Sequence, residues 1–497
     1  MGLTIERERF EPADYVRFEE RLEECLLALH RLLDRPCFGT GPTTVGAELE
    51  LCLIDDQGRA LPRNQEVRAE AVDPRVVLEV DRFNLELNLT PSLLAGRPFA
   101  SMANELDQAL GIVCRAAARH GGRVAMVGIL PTLRPEDLQL AALSDAPRYR
   151  ALNNGLRRLR QEPFRIRISG ADPLELATDD IGLEGANTSF QVHLRVDPDH
   201  YADHFNAAQL AIGPVLAVAG NSPTFLGHRL WEETRVALFK QAIDDRGTDG
   251  RASRRVARVA FGTGWTTTGA LELLEESVRL HEPVLPVVGD QHPRHRLDQD
   301  GVPALEELRL HQSTVWRWNR AIYDPAGGGH LRIEMRALPA GLTVVDMLAN
   351  AAFLLGLTLT LAVDADRWVP RVAFQQAHHN FYRAAQLGLA AQLAWPLGPG
   401  GRVRTVPAAQ LVPMLIAAAR HGLEDEGVAA EEVDQLLAVI EARAAAGRTG
   451  AAWQRQALAA LEPQRGRERG LVSMLERYLE HQRTGAPVHT WPLPNGR

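Results

Sequence analysis

The chain has 497 residues, 45% of them hydrophobic and 24% charged, and 63 acidic against 55 basic residues leave a net charge of −8. That is the composition of a globular protein long enough for a large core and for two to four domains. No basic field marks it for nucleic acid, and no like-charge block marks an interaction tail.

Helical apolar spacing runs from Asp14 to Leu33, with Val16, Phe18, Leu22, Leu26 and Leu29 on one stripe. "VGAELELCLID", Val45 to Asp55, then alternates as a strand does, and it places Glu48 and Glu50 on the face opposite Val45, Ala47, Leu49, Leu51 and Leu53. "EVDRFNLELNLTPS" reads as one further strand closed by Pro91, with Asn84, Glu86 and Asn88 opposite Phe83, Leu85, Leu87 and Leu89. A helix over Ser101 to His120 stops at Gly121-Gly122, and "RVAMVGILP" reads as a buried strand. "FRIRIS" and "NTSFQVHLRVDP" are strands; the second puts Gln191, His193 and Arg195 opposite Phe190, Val192, Leu194 and Val196. A helix over about Asn206 to Ala219 breaks at "GNSP", and "GHRLWEETRVALFKQ" resumes helical spacing. Asp244 to Gly301 reads as loops around one or two short helices. "HLRIEMRALP" is the fourth strand of the same design, with His330, Arg332, Glu334 and Arg336 opposite Leu331, Ile333, Met335 and Ala337. The apolar run Met347 to Val363 is short for a membrane span and lacks basic or aromatic anchors, so a buried core helix is expected. "WPLGPGGR", Trp395 to Arg402, has linker chemistry. It divides residues 1–394 from an Ala-, Leu- and Arg-rich helical region, 395–497.

Two usages narrow the chemistry. Cys25, Cys37, Cys52 and Cys114 lack CxxC or zinc-type spacing and read as free thiols of a cytoplasmic protein with no membrane partner. Lys240 is the only lysine, so phosphate would be handled by arginine, backbone N–H groups and metal ions, with no P-loop lysine.

Glutamate is depleted in strands, and a buried carboxylate is costly unless paired. If the four strands are neighbours, Glu48, Glu50, Glu86, His193 and Glu334 converge on one surface. Such a cluster needs cations, and its oxygen-rich ligands favour Mg²⁺ or Mn²⁺ over Zn²⁺. Mutual repulsion within it implies that Glu334→Gln should not destabilise the metal-free chain. Arg235 either reaches a phosphate or pairs with Glu232 or Asp245; Trp316, Arg317, Trp318 and Arg320 either wall a pocket or, for the tryptophans, pack in the core.

"GAELEL", "FNLELNLTPS", "NTSFQVHLRVD", "AGNSPTFLGHRLWEETRVALF" and "LRIEMRALP" together resemble the glutamate–cysteine ligase and carboxylate–amine ligase family of the glutamine-synthetase-like superfamily. The resemblance covers Thr43 to Asp364. It implies an α+β fold, with a curved antiparallel sheet carrying helices on its outer face, followed by the C-terminal helical region. It further implies an ATP-dependent ligase of glutathione-biosynthesis type. Glu48, Glu50, Glu86, His193 and Glu334 match metal- or nucleotide-facing positions, and Arg195, Arg229, Arg235 and Arg336 are the arginines for ATP. Arg336 and Glu334 stand nearest the chemistry. A carboxylate, glutamate by default, would be phosphorylated and then attacked by an amine, cysteine by default. The substrates would be small molecules, and self-association is left open. Two departures bear on the amine: "FQVH" stands where family members often have "HVH", and the Asp244 to Gly301 insert and the long C-terminal helical region have no clear counterpart. Rival readings are a metal-dependent hydrolase, disfavoured by the absence of HExxH and the scarcity of histidine, and a non-catalytic amino-acid or nucleotide-binding protein.

Overall fold

The structure, a computed structural model, describes residues 3, 5–247, 255–397 and 402–494. Its centre is an eight-stranded sheet, all of whose pairings are antiparallel, curled into a half-barrel. The strands run in the order Asn319–Asp324, His330–Met335, Phe190–Val196, Thr44–Ile54, Asn84–Asn88, Val76–Leu78, and short strands Ser92–Leu93 and Arg123–Ala125 also pair with Thr44–Ile54. The four strands of alternating design are therefore consecutive.

Register carries the alternation across the sheet. Glu50 lies opposite Glu86, Glu48 opposite both Asn88 and Gln191, and His193 opposite Glu334. Val45, Leu49, Leu51, Leu85, Leu87, Phe190, Val192, Leu194, Ile333 and Met335 form the other face and are fully buried. Helices Pro98–Arg119, Tyr201–Ala219 and Val344–Val363 pack against the sheet. The Val344–Val363 helix meets the length and hydropathy of a membrane span, but 78% of its apolar window is buried inside the fold. A helix that is apolar all round belongs in the middle of a large core.

Several elements differ from the expectation. "EVDRFNLELNLTPS" is not one strand from its start: Glu79 to Phe83 form the connection of a hairpin, and Asn84–Asn88 pairs with Val76–Leu78, which lies just before the stretch. Only Arg123–Ala125 of "RVAMVGILP" is strand. "GHRLWEETRVALFKQ" is helical only over Thr234–Ala242, because His228–Arg229 pairs with Thr224–Phe225. The expected linker is half strand: Gln392–Pro396 pairs with Val403–Pro407, Trp395 is buried, and residues 398–401 lie outside the described residues. The Asp244 to Gly301 stretch contains helices Ala270–Leu280 and Pro293–Asp298; its residues 248–254 are likewise outside the description.

The C-terminal helices are fastened to the sheet region by specific contacts. Helix Ala408–Asp425 lies so close to Val344–Val363 that a Cβ at Gly356 would sit 2.1 Å from the Ala419 carbonyl oxygen, and one at Gly422 would sit 2.3 Å from that of Gly356. Arg443, on helix Ala430–Ala446, donates to Asp346 at 2.8 Å and to Asn350 at 2.6 Å; Arg443 and Asp346 are both buried. Removing one partner of a buried ion pair leaves the other charge stranded, at a cost of about 3–5 kcal/mol. Arg443→Met should therefore lower the urea midpoint sharply, and truncation after Ala394 should yield protein that does not fold. A soluble truncated chain with the parent's circular dichroism would contradict this.

Candidate active site

The polar face of the sheet gathers Glu48, Glu50, Glu86, His193, Glu334 and Arg336, together with Glu79, which the sequence did not single out, and Arg320, which it named only as a possible pocket wall. Their ligand-capable atoms fall into two groups. Glu48, His193 and Glu334 form one; Glu50, Glu79 and Glu86 form the other; within each, one ligand atom per residue lies within 4.8 Å of the others.

The first group is compensated by cations. Arg320, on the edge strand opposite Glu334, grips both its carboxylate oxygens, Nε to Oε2 at 2.6 Å and Nη2 to Oε1 at 2.9 Å. Arg336, two residues along the strand, adds Nη1 to Oε2 at 3.0 Å. Burial alone would raise the Glu334 carboxyl, but Arg320, Arg336 and His193 outweigh it and hold the group far below the ordinary range. The same contest, with His193 as the main opposing influence, leaves Glu48 lowered. His193 Nε2 lies 3.2 Å from the Glu48 carboxylate, yet among the described residues neither ring nitrogen has a hydrogen-bond partner of good geometry.

The second group has far less relief. Burial and neighbouring Glu48, Glu79 and Glu50 push Glu86 well above the carboxylate range. Burial and Glu50 raise Glu79 to about 7. Glu50 is also raised by burial, against the pull of Arg336 and Arg235. It accepts from the Ser189 backbone N–H at 2.7 Å and from Gln191 Nε2 at 2.9 Å, and Gln191 in turn accepts from Arg336. Gln191 thus links the two groups. Three carboxylates crowded together with their pKa values driven upward are a set that a hard divalent cation would satisfy, and the donors are oxygen only. The residues present fit Mg²⁺ or Mn²⁺.

The arginines expected at ATP separate. Arg336 is on the face. Arg195 donates to the Gly39 and Thr40 carbonyls and lines a cavity of about 240 Å³ with Glu48 and His193. Arg235 is buried against Glu233 at 3.0 Å, not Glu232 or Asp245, and donates to the Ala337 carbonyl, so it braces the strand end that carries Arg336. Arg229 sits on its hairpin in a two-point bond with Asp172, at 2.7 and 2.9 Å, and Arg467 shares that carboxylate. Trp316 and Trp318 pack on Phe239 in the core, and Arg317 pairs with Glu276. A second cavity, about 410 Å³, opens over Glu48, Glu86 and Glu334, so Glu48 borders both.

A family model described as glutamate-cysteine ligase family 2 matches residues 44–475, most of the chain. The chain belongs to glutamate–cysteine ligase family 2. No curated protein matches it. Among solved structures it is similar to a glutamate–cysteine ligase of Francisella tularensis in complex with AMP, with 13% identity, 90% of each chain covered and a TM-score of 0.56. It is also similar to a bifunctional glutathione synthetase of Pasteurella multocida at 11% identity and a TM-score of 0.47, covering 94% of this chain and 55% of that one. Members of glutamate–cysteine ligase family 2 are ATP-dependent carboxylate–amine ligases, and the sheet described above is the fold of that class.

Proposed function

We propose that this ligase uses ATP to join the carboxylate of an amino acid, glutamate by default, to the amine of a second small substrate, cysteine by default, through an acyl phosphate. The observation that supports this reading is the pairing, on one sheet face, of an all-carboxylate cluster with an arginine-clamped carboxylate. Glu50, Glu79 and Glu86 would hold one Mg²⁺ or Mn²⁺; Glu48, His193 and Glu334 would take part in a second site. Such ions supply charge neutralisation where an anionic carboxylate meets an anionic triphosphate.

The chain's own groups supply alignment. Glu334 keeps the Arg320 and Arg336 guanidinium groups fixed, and the Gln191 amide ties Arg336 to the carboxylate cluster. Preorganised cations of this kind stabilise charge on a phosphoryl group in transfer without reorganising as it moves. Arg336 is the catalytic arginine, and Glu334 acts through it. Arg195 serves the nucleotide from the smaller cavity. Residues 1–394 carry the whole acid–arginine pattern and make up the catalytic part, and 395–497 support it. Four unpaired cysteines support a cytoplasmic location.

The test is ADP release across a panel of amino acids and amines. Release should require a carboxylate donor, an amine and Mg²⁺ or Mn²⁺ together. Ester or peptide cleavage without ATP would favour a hydrolase, and ligand-induced stabilisation without turnover would favour a binding protein.

A further inference from the structure

The 410 Å³ cavity has a wall that the phosphoryl chemistry leaves unused. Its floor is Glu48, Glu86 and Glu334; helices Pro147–Leu159 and Glu306–Gln312 contribute Arg148 and Arg309 to its lining. Arg320 and Arg332 also line it, but each already has a carboxylate partner, Glu334 and Asp324. Arg148 donates to Ser313 Oγ at 3.0 Å. Arg309 differs from all of these: it is half-buried, and among the described residues its guanidinium has no hydrogen-bond or ion-pair partner. Its guanidinium nitrogens keep access to solvent, so they are free to meet an anion entering the cavity, and the planar fork matches a carboxylate in two-point contact.

We infer that Arg309, with Arg148 lining the same cavity, binds the substrate carboxylate that does not react, and so makes this enzyme select α-amino acids over simple acids or amines. The inference rests on the ligase reading. Both substrates bring such a group: glutamate keeps its α-carboxylate when its side chain is activated, and cysteine keeps its carboxylate when its amine attacks. An ATP phosphate is the competing anion, but the triphosphate belongs beside the carboxylate clusters of the floor, where cations would neutralise it.

The experiment uses the full chain with R309M, R309K and R148M, and two substrate pairs that differ only in that carboxylate: glutamate against 4-aminobutanoate, and cysteine against cysteamine. The wild type should favour the carboxylate-bearing member of at least one pair by about tenfold or more in kcat/KM, as a charge-assisted pair supplies. R309M should erase that preference through KM, with kcat at saturation and the KM for ATP little changed; R309K should recover part of it, and R148M should weaken it less. Calorimetry should show the same amino acid binding R309M about tenfold more weakly. An unchanged preference in R309M, a rise in the KM for ATP in place of the amino acid's, or a matching loss of melting temperature in R309M and R309K would each overturn the assignment. If the wild type forms no ADP with any pair, the ligase reading fails, and the calorimetric comparison decides the role of Arg309 separately.

Discussion

Glu334→Gln should lower turnover by about a hundredfold or more and should also destabilise the protein. The repulsion expected among the four strand glutamates points the other way and is overturned at this position. Glu334 is 3% exposed, is gripped at both oxygens by Arg320 and is bonded again by Arg336. It is the buried counterion of two half-buried guanidinium groups, so neutralising it leaves both without their carboxylate; a fully buried pair broken this way costs about 3–5 kcal/mol, and the partial exposure of the arginines brings the loss below that. Arg336→Met should likewise lose both stability and rate, with about a thousandfold of rate at stake for an arginine at a transferring phosphoryl group. Urea titration without metal, set beside turnover with metal, checks both. A Glu334→Gln protein as stable as the parent would show that the clamp is not formed.

Glu86→Gln should do the reverse. Burial and the carboxylates of Glu48, Glu79 and Glu50 disfavour its charge, and among the described residues its side chain accepts one hydrogen bond, from Asn88 at 2.8 Å. The amide should melt at the parent's temperature or higher without metal, yet lose most of the stabilisation that Mg²⁺ confers, which at a hundredfold excess over Kd is about 2.7 kcal/mol. Turnover should fall with it. Glu79→Gln should show the same pattern with a pH signature. Its folded-state pKa is raised from 4.5 to about 7, so the metal-free fold binds that proton more tightly than the unfolded chain does. Stability from this group is complete below about 4.5 and is lost as pH rises to about 7, and the variant should lack that loss. Melting curves at several pH values with and without Mg²⁺ measure it; equal Mg²⁺ shifts in parent and variants would remove these residues from the metal site.

The strands' period of two made the face legible. Glutamates at alternate positions opposite Leu, Val and Phe assign both faces of Thr44–Ile54, and the same rule assigns three more strands. Adjacency followed from shared composition and resemblance, not from any local rule, since strand order is a long-range property. Glu79 was hidden because it lies in the connection of a hairpin read as one strand; Asp81-Arg82 within that run was the signal for a turn. Arg320 stood in a segment dominated by tryptophans and read as a possible pocket wall, which it is; that it clamps Glu334 follows only from the strand register. Arg229 and Arg235 shared a segment of helical spacing, but pairing with Asp172 and Glu233 depends on residues that sequence distance or turn geometry puts out of view.

Oxygen transfer reports directly on whether an acyl phosphate forms. With the donor's reacting carboxylate labelled with ¹⁸O, phosphoryl transfer makes a P–O bond to a labelled oxygen. Attack by the amine then breaks the C–O bond and leaves that oxygen on phosphate. Turnover in the presence of amine, ATP and Mg²⁺ should release phosphate carrying one ¹⁸O per amide formed. Amide formation accompanied by unlabelled phosphate would contradict an acyl phosphate, and with it the role given to the Arg320–Glu334–Arg336 clamp.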